Sequence, residues 1–367
     1  MFKVGEDSES VRADTGRQPK LILTPEEPMS KSTAPQQTTV FCGIDVSAAT
    51  LAVAVIEPDQ PLQQREFANR ASGHKALIDW LGKRGARVRV SLEATGIYSL
   101  DLALALDKAR GIEVAVLNPK MVNRFAQTLR RSKTDAADAI VLAEYSLRMP
   151  FLAWTPPSLN GLRLRAVGRH IAALVAQHTR EQNRLQAAQS SRAVPGCVLQ
   201  DLKRSLASLA RRLVKMRRAA RELIRTDAQI EQCFHLLTGI PGIAEASALA
   251  ILGELVLLSP HLTVRQWVAH SGLDPAHQQS GTSVHKRSHI SRAGNRHLRR
   301  ALYMPALSAV RWDPHMKAFY EALQQRHKAK LQAIIAVARK LLHAIYGIFR
   351  SQTPYDGRKL FPQLEAA

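Results

Sequence analysis

The sequence predicts an α/β domain with a mixed β-sheet, followed by a region of packed α-helices. Short runs of β-branched and other apolar residues alternate with helix-like segments between residues 39 and 129. Beyond residue 160, apolar residues recur at spacings of three and four, which is typical of helices that pack along a shared seam. Acidic residues close several apolar runs of the first domain, so these segments also predict a functional site.

The first domain begins with three strands. Residues 40–46, 51–56 and 64–67 are predicted strands, and the short link 47–50 joins the first two as a hairpin. Helices predicted at 72–85, 97–110 and 118–129 then alternate with strands predicted at 88–92 and 113–117. The order βββαβαβα gives a mixed sheet with helices on its faces, which is the RNase H-like arrangement.

Two long helices are predicted between residues 161 and 230. Their apolar seams are Leu164, Val167, Ile171 and Leu174 in the first helix and Leu202, Leu206, Leu209, Leu213, Met216, Ala220 and Leu223 in the second. The break at Pro195-Gly196 predicts that they pack as an antiparallel coiled-coil hairpin.

The second of these helices is strongly basic, and only Asp201 and Glu222 interrupt its positive charge. We predict contacts with nucleic-acid phosphates, and a solvated charged face is the alternative. The residues predicted to make these contacts are Arg211, Arg212, Lys215 and Arg218.

The C-terminal part is predicted to be a compact helical domain. Residues 237–243, Leu-Thr-Gly-Ile-Pro-Gly-Ile, resemble a helix–hairpin–helix turn, in which backbone N–H groups at a helix start hold a phosphate. A plain packing corner is the alternative. A final helix is predicted at 331–349. We predict four divisions of the chain: a disordered polar leader at 1–37, a metal-binding α/β domain at 38–150, the coiled-coil hairpin at 151–230 and the C-terminal domain at 231–367.

The chain of 367 residues is strongly basic, with 52 Lys and Arg against 30 Asp and Glu and a net charge of +22. This charge favours a polyanionic partner such as nucleic acid. We find no apolar signal-peptide region at the start, and no run approaches the roughly 20 apolar residues that cross a bilayer. Three distant cysteines without C-x-x-C spacing indicate a reducing compartment and no zinc site.

Four carboxylates form the candidate catalytic site. Asp45 and Glu93 end two apolar runs, whereas Asp135 and Asp138 are three residues apart on a predicted helix and therefore share a face. Burying such charges costs on the order of several kcal/mol unless a cation offsets it. Oxygen-only ligands suit Mg²⁺ or Mn²⁺, and four of them can hold two ions around a phosphodiester. For Asp135 the alternative is a helix cap formed by the pair Thr134-Asp135.

A second candidate is Ser280, which precedes a glycine and opens a basic stretch. Its hydroxyl is expected on a mobile, exposed turn, where nearby cations could stabilise the charge that develops during attack on phosphorus. Thr282 and Ser283 are equally exposed by sequence alone. Backbone binding without chemistry is the other interpretation of this stretch. Its cations are Lys286, Arg287, Arg292, Arg296, Arg299 and Arg300.

Taken together, these motifs resemble the insertion-sequence-110 type transposases, which are DEDD transposases and bridge-RNA-guided serine recombinases. The resemblance covers about residues 38–360. Its motifs, in the family's order, are Gly43-Ile-Asp45, Glu93-Ala-Thr-Gly96, Asn118-Pro119, Ser132-Lys-Thr-Asp135-Ala-Ala-Asp138-Ala, Gly239-Ile-Pro-Gly242, Gly272-Leu-Asp-Pro275, Ser280-Gly281 and Arg299-Arg-Ala-Leu-Tyr-Met-Pro305.

The resemblance implies a RuvC-type first domain in which Asp45, Glu93, Asp135 and Asp138 bind Mg²⁺. It also implies a C-terminal transposase domain in which Ser280 attacks DNA and forms a covalent 5′-phosphoserine, after which strand exchange joins donor and target DNA. A structured non-coding RNA pairs with both DNAs and supplies the sequence specificity. The active enzyme is a tetramer of two dimers with composite sites, the coiled coil dimerises, and the setting is the bacterial cytoplasm at the nucleoid.

The residues alone leave two other functions open. A metal-dependent nuclease or Holliday-junction resolvase would use water as nucleophile, and its Ser280→Ala variant would cut normally. A nucleic-acid-binding protein without catalysis would need no metal and would keep full activity after Asp138→Ala.

Overall fold

The structure is a computed structural model that describes residues 39–361 except 86, 95, 97, 130–133 and 281–283, and the side chains of 277–280 and 284–288 are also outside the description. The predicted leader at 1–37 lies outside the described residues. The chain divides into two compact units between Trp154 and Thr155. Each unit is described by itself below.

The described part of the first unit contains five strands and four helices. Their bounds are β1 Thr39–Val46, β2 Thr50–Ile56, β3 Gln63–Ala68, α1 Ala71–Gly82, β4 Arg87–Glu93, α2 Leu100–Asp107, β5 Ile112–Leu117, α3 Pro119–Leu129 and α4 Asp135–Arg148. The predicted strands are confirmed. The second helix is shorter than the predicted 97–110, since it ends at Asp107 and the chain then turns through Gly111, which has a φ of +77°.

The strand order is β3-β2-β1-β4-β5, with β1 antiparallel to β2 and parallel to β4. β4 and β5 are also parallel, and the connections between parallel strands run through helices. This topology confirms the predicted RNase H-like fold. The central strands are apolar because both of their faces are covered, and Cys42, Ile44 and Leu92 are fully buried. Burial raises the pKa of the Cys42 thiol to about 12, in spite of the opposing charge of Arg84, so this cysteine is a core residue.

Helix α4 packs against β1 at unusually short range. A Cβ atom on Gly43 would lie 2.1 Å from the carbonyl oxygen of Ala139 and 2.2 Å from the backbone nitrogen of Ala143. Small residues continue this contact, because Ala54 of β2 is buried together with Ala139 and Ala143. Only glycine at position 43 therefore allows the helix to lie this close to the sheet.

The second unit is mainly helical. Its elements are α5 Leu159–Gln189, α6 Gly196–Arg225, α7 Ala228–Thr238, α8 Glu245–Leu255, α9 Val264–Ser271, β6 Pro275–Ser280, β7 Val284–Ile290, α10 Arg296–Trp312, α11 Pro314–Gln325, α12 Lys330–Ser351 and α13 Gly357–Leu360. Helices α5 and α6 pack against each other as the predicted antiparallel hairpin. Most seam predictions hold, but Ile224 rather than Leu223 is buried near the end of α6.

The core of this unit surrounds α8, α10 and α12. Helix α12 contributes nine buried residues, which explains the apolar pattern that predicted it. By length and composition it is the helix, among the described residues, that could cross a membrane, and half of its most apolar window is buried inside the unit. A core helix passes the same test, so the finding is weak support for a membrane span.

The hairpin β6–β7 was not predicted, and the backbone of Ser280, which was expected on a turn, lies at the end of a strand. The expected exposure of its hydroxyl lies outside the described residues. Ser280 is the last residue of β6, and its backbone pairs with Val284 in an antiparallel two-stranded sheet. The sequence of β6, Pro-Ala-His-Gln-Gln-Ser, lacks the apolar alternation that marks a strand packed on a core. A hairpin that pairs only with itself needs no such pattern.

A buried ionic network joins α5, α8 and α10. The side chain of Glu254 is 4% exposed and accepts hydrogen bonds from Nε and Nη2 of Arg169 at 2.7 and 2.9 Å. Asn295, the N-cap of α10, donates to the same carboxylate at 2.7 Å. Burial alone would raise the pKa of Glu254, but these bonds outweigh it and hold the pKa below its usual range.

Replacing Gly43 with Ala should destabilise the protein by about 3 kcal/mol, because the new methyl group would overlap the backbone of α4. Urea unfolding measures this loss. Gly82→Ala is the matched control, since no atom lies within 4 Å of its Cβ position, and it should change stability by less than about 1 kcal/mol. Equal stabilities of the two variants would contradict the close approach.

Replacing Glu254 with Gln should cost about 2–3 kcal/mol at pH 7, because Arg169 loses its buried counter-charge. Since the folded-state pKa of Glu254 is lowered, its stabilisation is present above its unfolded pKa of about 4.3 and is lost as the pH falls through the folded value. The unfolding temperatures of the two proteins should therefore differ at pH 7 and converge toward pH 3.

The control for this experiment is Glu222→Gln, which removes an exposed ion pair with Arg218 and should have little effect at any pH. If the gap between Glu254→Gln and the unmodified protein were as wide at pH 3 as at pH 7, the assigned role of the carboxylate would be wrong.

Candidate functional site

Asp45 and Glu93 lie side by side at one edge of the sheet. In the parallel pair β1 and β4, Ile44 is opposite Leu92, so Asp45 and Glu93 are the next residues of the same register. Both residues are half-buried. Because side chains alternate along a strand, both project to the face on which Gly43 meets α4. The fold therefore brings these two predicted site residues together.

Asp135 and Asp138 lie in the first turn of α4. The cap of this helix is Thr134, whose side chain accepts a hydrogen bond from the backbone of Ala137 at 3.2 Å. The alternative role of Asp135 as a capping residue is therefore wrong, because the neighbouring threonine performs it. Asp135 is exposed and Asp138 is half-buried.

The direction of α4 places its start near the same edge of the sheet. Ser146, near the end of α4, donates to the carbonyl oxygen of Arg89 in the first half of β4 at 3.4 Å. From Ser146 back to Asp135 the helix extends about 16 Å, and from Arg89 forward to Glu93 the strand extends about 13 Å. The start of α4 and the ends of β1 and β4 thus lie toward one side of the unit.

The four carboxylates have the chemistry that Mg²⁺ or Mn²⁺ requires, since all their donor atoms are oxygens. Among the residues that the structure describes, however, no group of three or more His, Cys, Asp or Glu side chains is arranged to hold a metal ion. Residues 130–133, which lead into α4, are outside the description. The donor type and the shared edge of the sheet fit a divalent cation.

Asn69 links the loops that follow the two carboxylate strands. Its amide nitrogen donates to the carbonyl oxygens of Ser47 and Tyr98, at 2.7 and 3.2 Å. Its amide oxygen lies 2.8 Å from Nε2 of His74. Since carbonyl oxygens only accept, the amide nitrogen must face them, and His74 must donate through Nε2–H. Burial lowers the pKa of His74 against the charge of Asp101, which favours this neutral ring.

The predicted nucleophile Ser280 is placed only through its backbone, at the end of β6. The side chains of Ser280, Lys286 and Arg287 are outside the description, as are residues Thr282 and Ser283.

The base of the hairpin is anchored on both sides. Ser291 Oγ donates to Asp274 Oδ1 at 2.5 Å, and the backbone nitrogen of Ser291 donates to the Asp274 carbonyl oxygen at 2.9 Å. The backbone of Asn295 donates to the carbonyl oxygen of His270 at 2.6 Å. Through Asn295, the hairpin base is connected to the buried Glu254 network. The segment that carries Ser280 therefore projects from a rigid support.

The basic residues beside this base differ in their availability. Arg292, Arg296 and Arg300 are exposed. Arg299 instead turns inward and donates through Nη1 to the carbonyl oxygen of Ser271 at 2.8 Å. Three arginines can thus reach a phosphate from this surface, whereas Arg299 holds the end of α9.

On α6, Arg211, Arg212 and Lys215 are exposed as predicted. Arg218 is exposed too, but it forms an i,i+4 pair with Glu222 at 3.0 Å. An exposed pair of this kind is weak, so it leaves Arg218 able to exchange its partner for a phosphate.

One side of the helix–hairpin–helix segment, residues 237–243, packs against α10. Gly242 has a φ of +94°, and a Cβ there would lie 2.6 Å from the backbone nitrogen of Ala309 in α10. Ile240 and Ile243 are buried beside it. On the other side, the N-cap of α8 is Ala244, whose side chain cannot accept a hydrogen bond, so no capping side chain satisfies the first N–H groups of the helix.

Sequence analysis missed the residues that position the site. Asn69 directly follows a strand, and Asn295 follows Gly294 at a helix start, which is a signal for a capping residue. No local pattern indicates that Asn69 reaches Tyr98 or that Glu254 meets Arg169, because each pair is far apart in sequence.

Comparison with known proteins places the chain among transposases. A family model described as "Transposase" matches residues 42–191, and a model described as "Transposase IS116/IS110/IS902 family" matches residues 234–321. The "Pilin gene-inverting protein" of Moraxella bovis is 29% identical over 87% of this chain and 98% of its own length.

A "43.6 kDa" uncharacterised protein of insertion element IS110 from Streptomyces coelicolor is 30% identical over 42% of this chain and 38% of its own length. A Thermus thermophilus RuvC structure aligns with 28% of this chain and 90% of its own, at 16% identity and a TM-score of 0.21. The two family models match in order and together span most of the sequence, and the chain belongs to the IS110-type transposases.

Proposed function

We propose that this chain is an RNA-guided DNA recombinase that cuts and rejoins donor and target DNA through a covalent 5′-phosphoserine. The observation that carries the proposal is the parallel register that sets Asp45 beside Glu93, in an RNase H-like sheet of a transposase. Two adjacent half-buried carboxylates in a chain of net charge +22 suit a cation and a polyanion at the same edge. The reaction would take place in the bacterial cytoplasm, at the nucleoid.

Asp45, Glu93, Asp135 and Asp138 are the residues that would hold Mg²⁺, or Mn²⁺ in its place. When bound, the ion supplies positive charge that stabilises the oxygen leaving the phosphodiester. The chain's own residues determine where those carboxylates lie. Gly43 allows α4 to approach β1, and Asn69 fixes the loops beyond the two strands.

Ser280 is the proposed nucleophile. Its hydroxyl oxygen attacks phosphorus, the new Oγ–P bond forms, the bond from phosphorus to the 3′ oxygen breaks, and the serine proton ends on the released 3′-hydroxyl. The 5′ end of the cut strand stays on the serine. Attack by the 3′-hydroxyl of a second strand reverses these changes and frees Ser280. Each bond broken is replaced by an equivalent one, so strand exchange needs no external energy source.

The cations around the hairpin would bind the non-bridging phosphate oxygens. Arg292, Arg296 and Arg300 are exposed beside its base, and Lys286 and Arg287 lie on β7. Guanidinium groups suit this role because they form paired, charge-assisted hydrogen bonds with phosphate. Arg211, Arg212, Lys215 and Arg218 would bind backbone phosphates farther along α6.

A structured non-coding RNA would supply sequence specificity, and a tetramer of two dimers would form the composite sites, with the α5–α6 hairpin as the dimerising element. The low aromatic content of 5% fits a protein that binds backbone and shape rather than stacking many bases. A metal-dependent nuclease that uses water, and a binding protein without catalysis, are the alternatives.

Covalent capture tests the reaction. A suicide DNA substrate with Mg²⁺ should trap a protein–DNA adduct, and mass spectrometry should map it to Ser280. Ser280→Ala should abolish the adduct, whereas Ser283→Ala should retain it, because only the nucleophile forms the bond. Cleavage without any adduct would instead support the water-dependent nuclease.

The carboxylates provide further arms of the same experiment. Asp45→Asn should lower adduct formation by about 100-fold or more, since it removes an anionic ligand. Glu66→Gln, which changes an exposed carboxylate on β3, is the matched control and should form the adduct normally. Full activity of Asp45→Asn would contradict the proposed metal site.

The RNA component has a separate test. Sequencing of nucleic acid that copurifies with the chain should yield one discrete structured RNA, and removing it should abolish selection of a target sequence. Sequence-specific cutting by RNA-free protein would exclude a guide.

A further inference from the structure

A basic cavity of about 590 Å³ lies in the second unit between the C-terminal half of α6 and the start of α8. Four arginines and two glutamates form most of its lining. These residues are Arg217, Arg218, Arg221, Arg225, Glu222 and Glu245. The cavity is therefore positively charged, with two cations more than it has anions.

The two glutamates already occupy two of the arginines. Arg218 pairs with Glu222. Arg221 donates through Nε and Nη2 to the two carboxylate oxygens of Glu245. Among the described residues, no ion pair engages Arg217 or Arg225. The Nε–H of Arg217 is buried and has no hydrogen-bond acceptor. A buried donor without an acceptor is costly, so the guanidinium of Arg217 is left partly unsatisfied at this cavity.

Helix α8 faces the same cavity with its N-terminus. Ala244, Glu245 and Ala246 line the cavity wall, and no side chain caps this helix. The positive end of the helix therefore lies on the same cavity as the arginines, and Arg221 reaches it through Glu245. The Glu245 carboxylate now lies there, and the hydrogen bond from Arg221 holds its pKa below the usual range, so it stays charged.

We propose that this cavity binds a backbone phosphate of nucleic acid, and that Glu245 is an internal substitute that the phosphate displaces. Arg217, Arg221 and Arg225 would bind the phosphate oxygens, together with the first N–H groups of α8. The proposal deepens the proposed function by adding an anchoring site away from the reacting strand. It does not depend on Ser280 or on a metal.

The surroundings favour nucleic acid over a free small anion. Arg211 and Lys215 precede the cavity on α6 and are exposed. Spacings of three and four residues put them on the same helix face as Arg218, so a chain of phosphates would find consecutive partners. The helix–hairpin–helix turn directly before α8 is held in place by Gly242 against α10, which makes the cavity wall rigid. A single phosphate ion would use the cavity but not the row of cations.

Equilibrium binding tests the proposal. We would use the Ser280→Ala full-length chain without Mg²⁺, so that a failure of the cutting mechanism cannot affect the result. Fluorescence anisotropy with duplex DNA and with structured RNA, from 50 to 400 mM salt, gives the affinity and its salt slope. Arg217→Ala and Arg225→Ala should each weaken binding about fivefold or more and reduce the slope by about one.

Glu245→Gln gives the sharper result. Removing the internal anion should strengthen nucleic-acid binding about threefold or more, because Arg221 and the helix start no longer exchange one anion for another. The controls remove the same charges from the exposed surface of this unit, with Arg326→Ala for the arginines and Glu321→Gln for the glutamate. Unfolding temperatures confirm that all variants are folded. If Arg217→Ala does not fold, Arg217→Lys replaces it, because it keeps the charge and removes the guanidinium.

The outcomes separate the sources of the phosphate. If the arginine variants lose affinity for RNA but not for DNA, the site binds RNA, and the reverse result would assign it to DNA. Either result supports a phosphate site. If Arg217→Ala and Arg225→Ala matched Arg326→Ala on both substrates, the proposal would be wrong. It would also be overturned if these variants changed only the oligomeric state measured by light scattering, which would indicate a protein partner.

Discussion

The approach of α4 to β1 at Gly43 is the constraint on which the first unit depends. Parallel pairing of β1 and β4 places Asp45 beside Glu93, and the missing side chain at Gly43 allows α4 to cover that face. Thr134 caps the helix, so Asp135 is available for another role. A larger residue at position 43 would move the helix and its two carboxylates together, which links the packing of the core to the chemistry proposed at its edge.

In the second unit, the buried carboxylate of Glu254 connects several helices. Glu254 is surrounded by apolar helices, and it is tolerated because Arg169 and Asn295 satisfy both of its oxygens. Since Asn295 also begins α10 and anchors the β6–β7 hairpin, a single carboxylate connects the long hairpin helix α5 with the segment that carries Ser280. Buried polar groups of this kind favour one arrangement of helices over others, because any shift leaves a charge unpaired.

Positive charge in this protein is of three kinds. Arg169 and Arg299 stabilise the fold, and Arg211 and Arg212 are exposed to solvent. Arg217 and Arg225 line a cavity, and among the described residues neither forms an ion pair there. A net charge of +22 indicates a polyanionic partner but does not distinguish these kinds. The distinction comes from the side chains' neighbours, which decide whether an arginine is free to bind a phosphate.

From apolar periodicity, which is local, the sequence predicted the succession of strands and helices in the first unit and the two long helices of the second. The four carboxylates are a candidate site because acidic residues at the ends of apolar runs are visible without a fold. Sequence analysis missed the hairpin at Ser280, whose polar strands pair only with each other. Three further features became visible once the chain was folded: Thr134 rather than Asp135 caps α4, Gly242 packs against Ala309, and Arg299 turns inward. These outcomes depend on contacts between residues far apart in the chain, and no local pattern encodes such contacts.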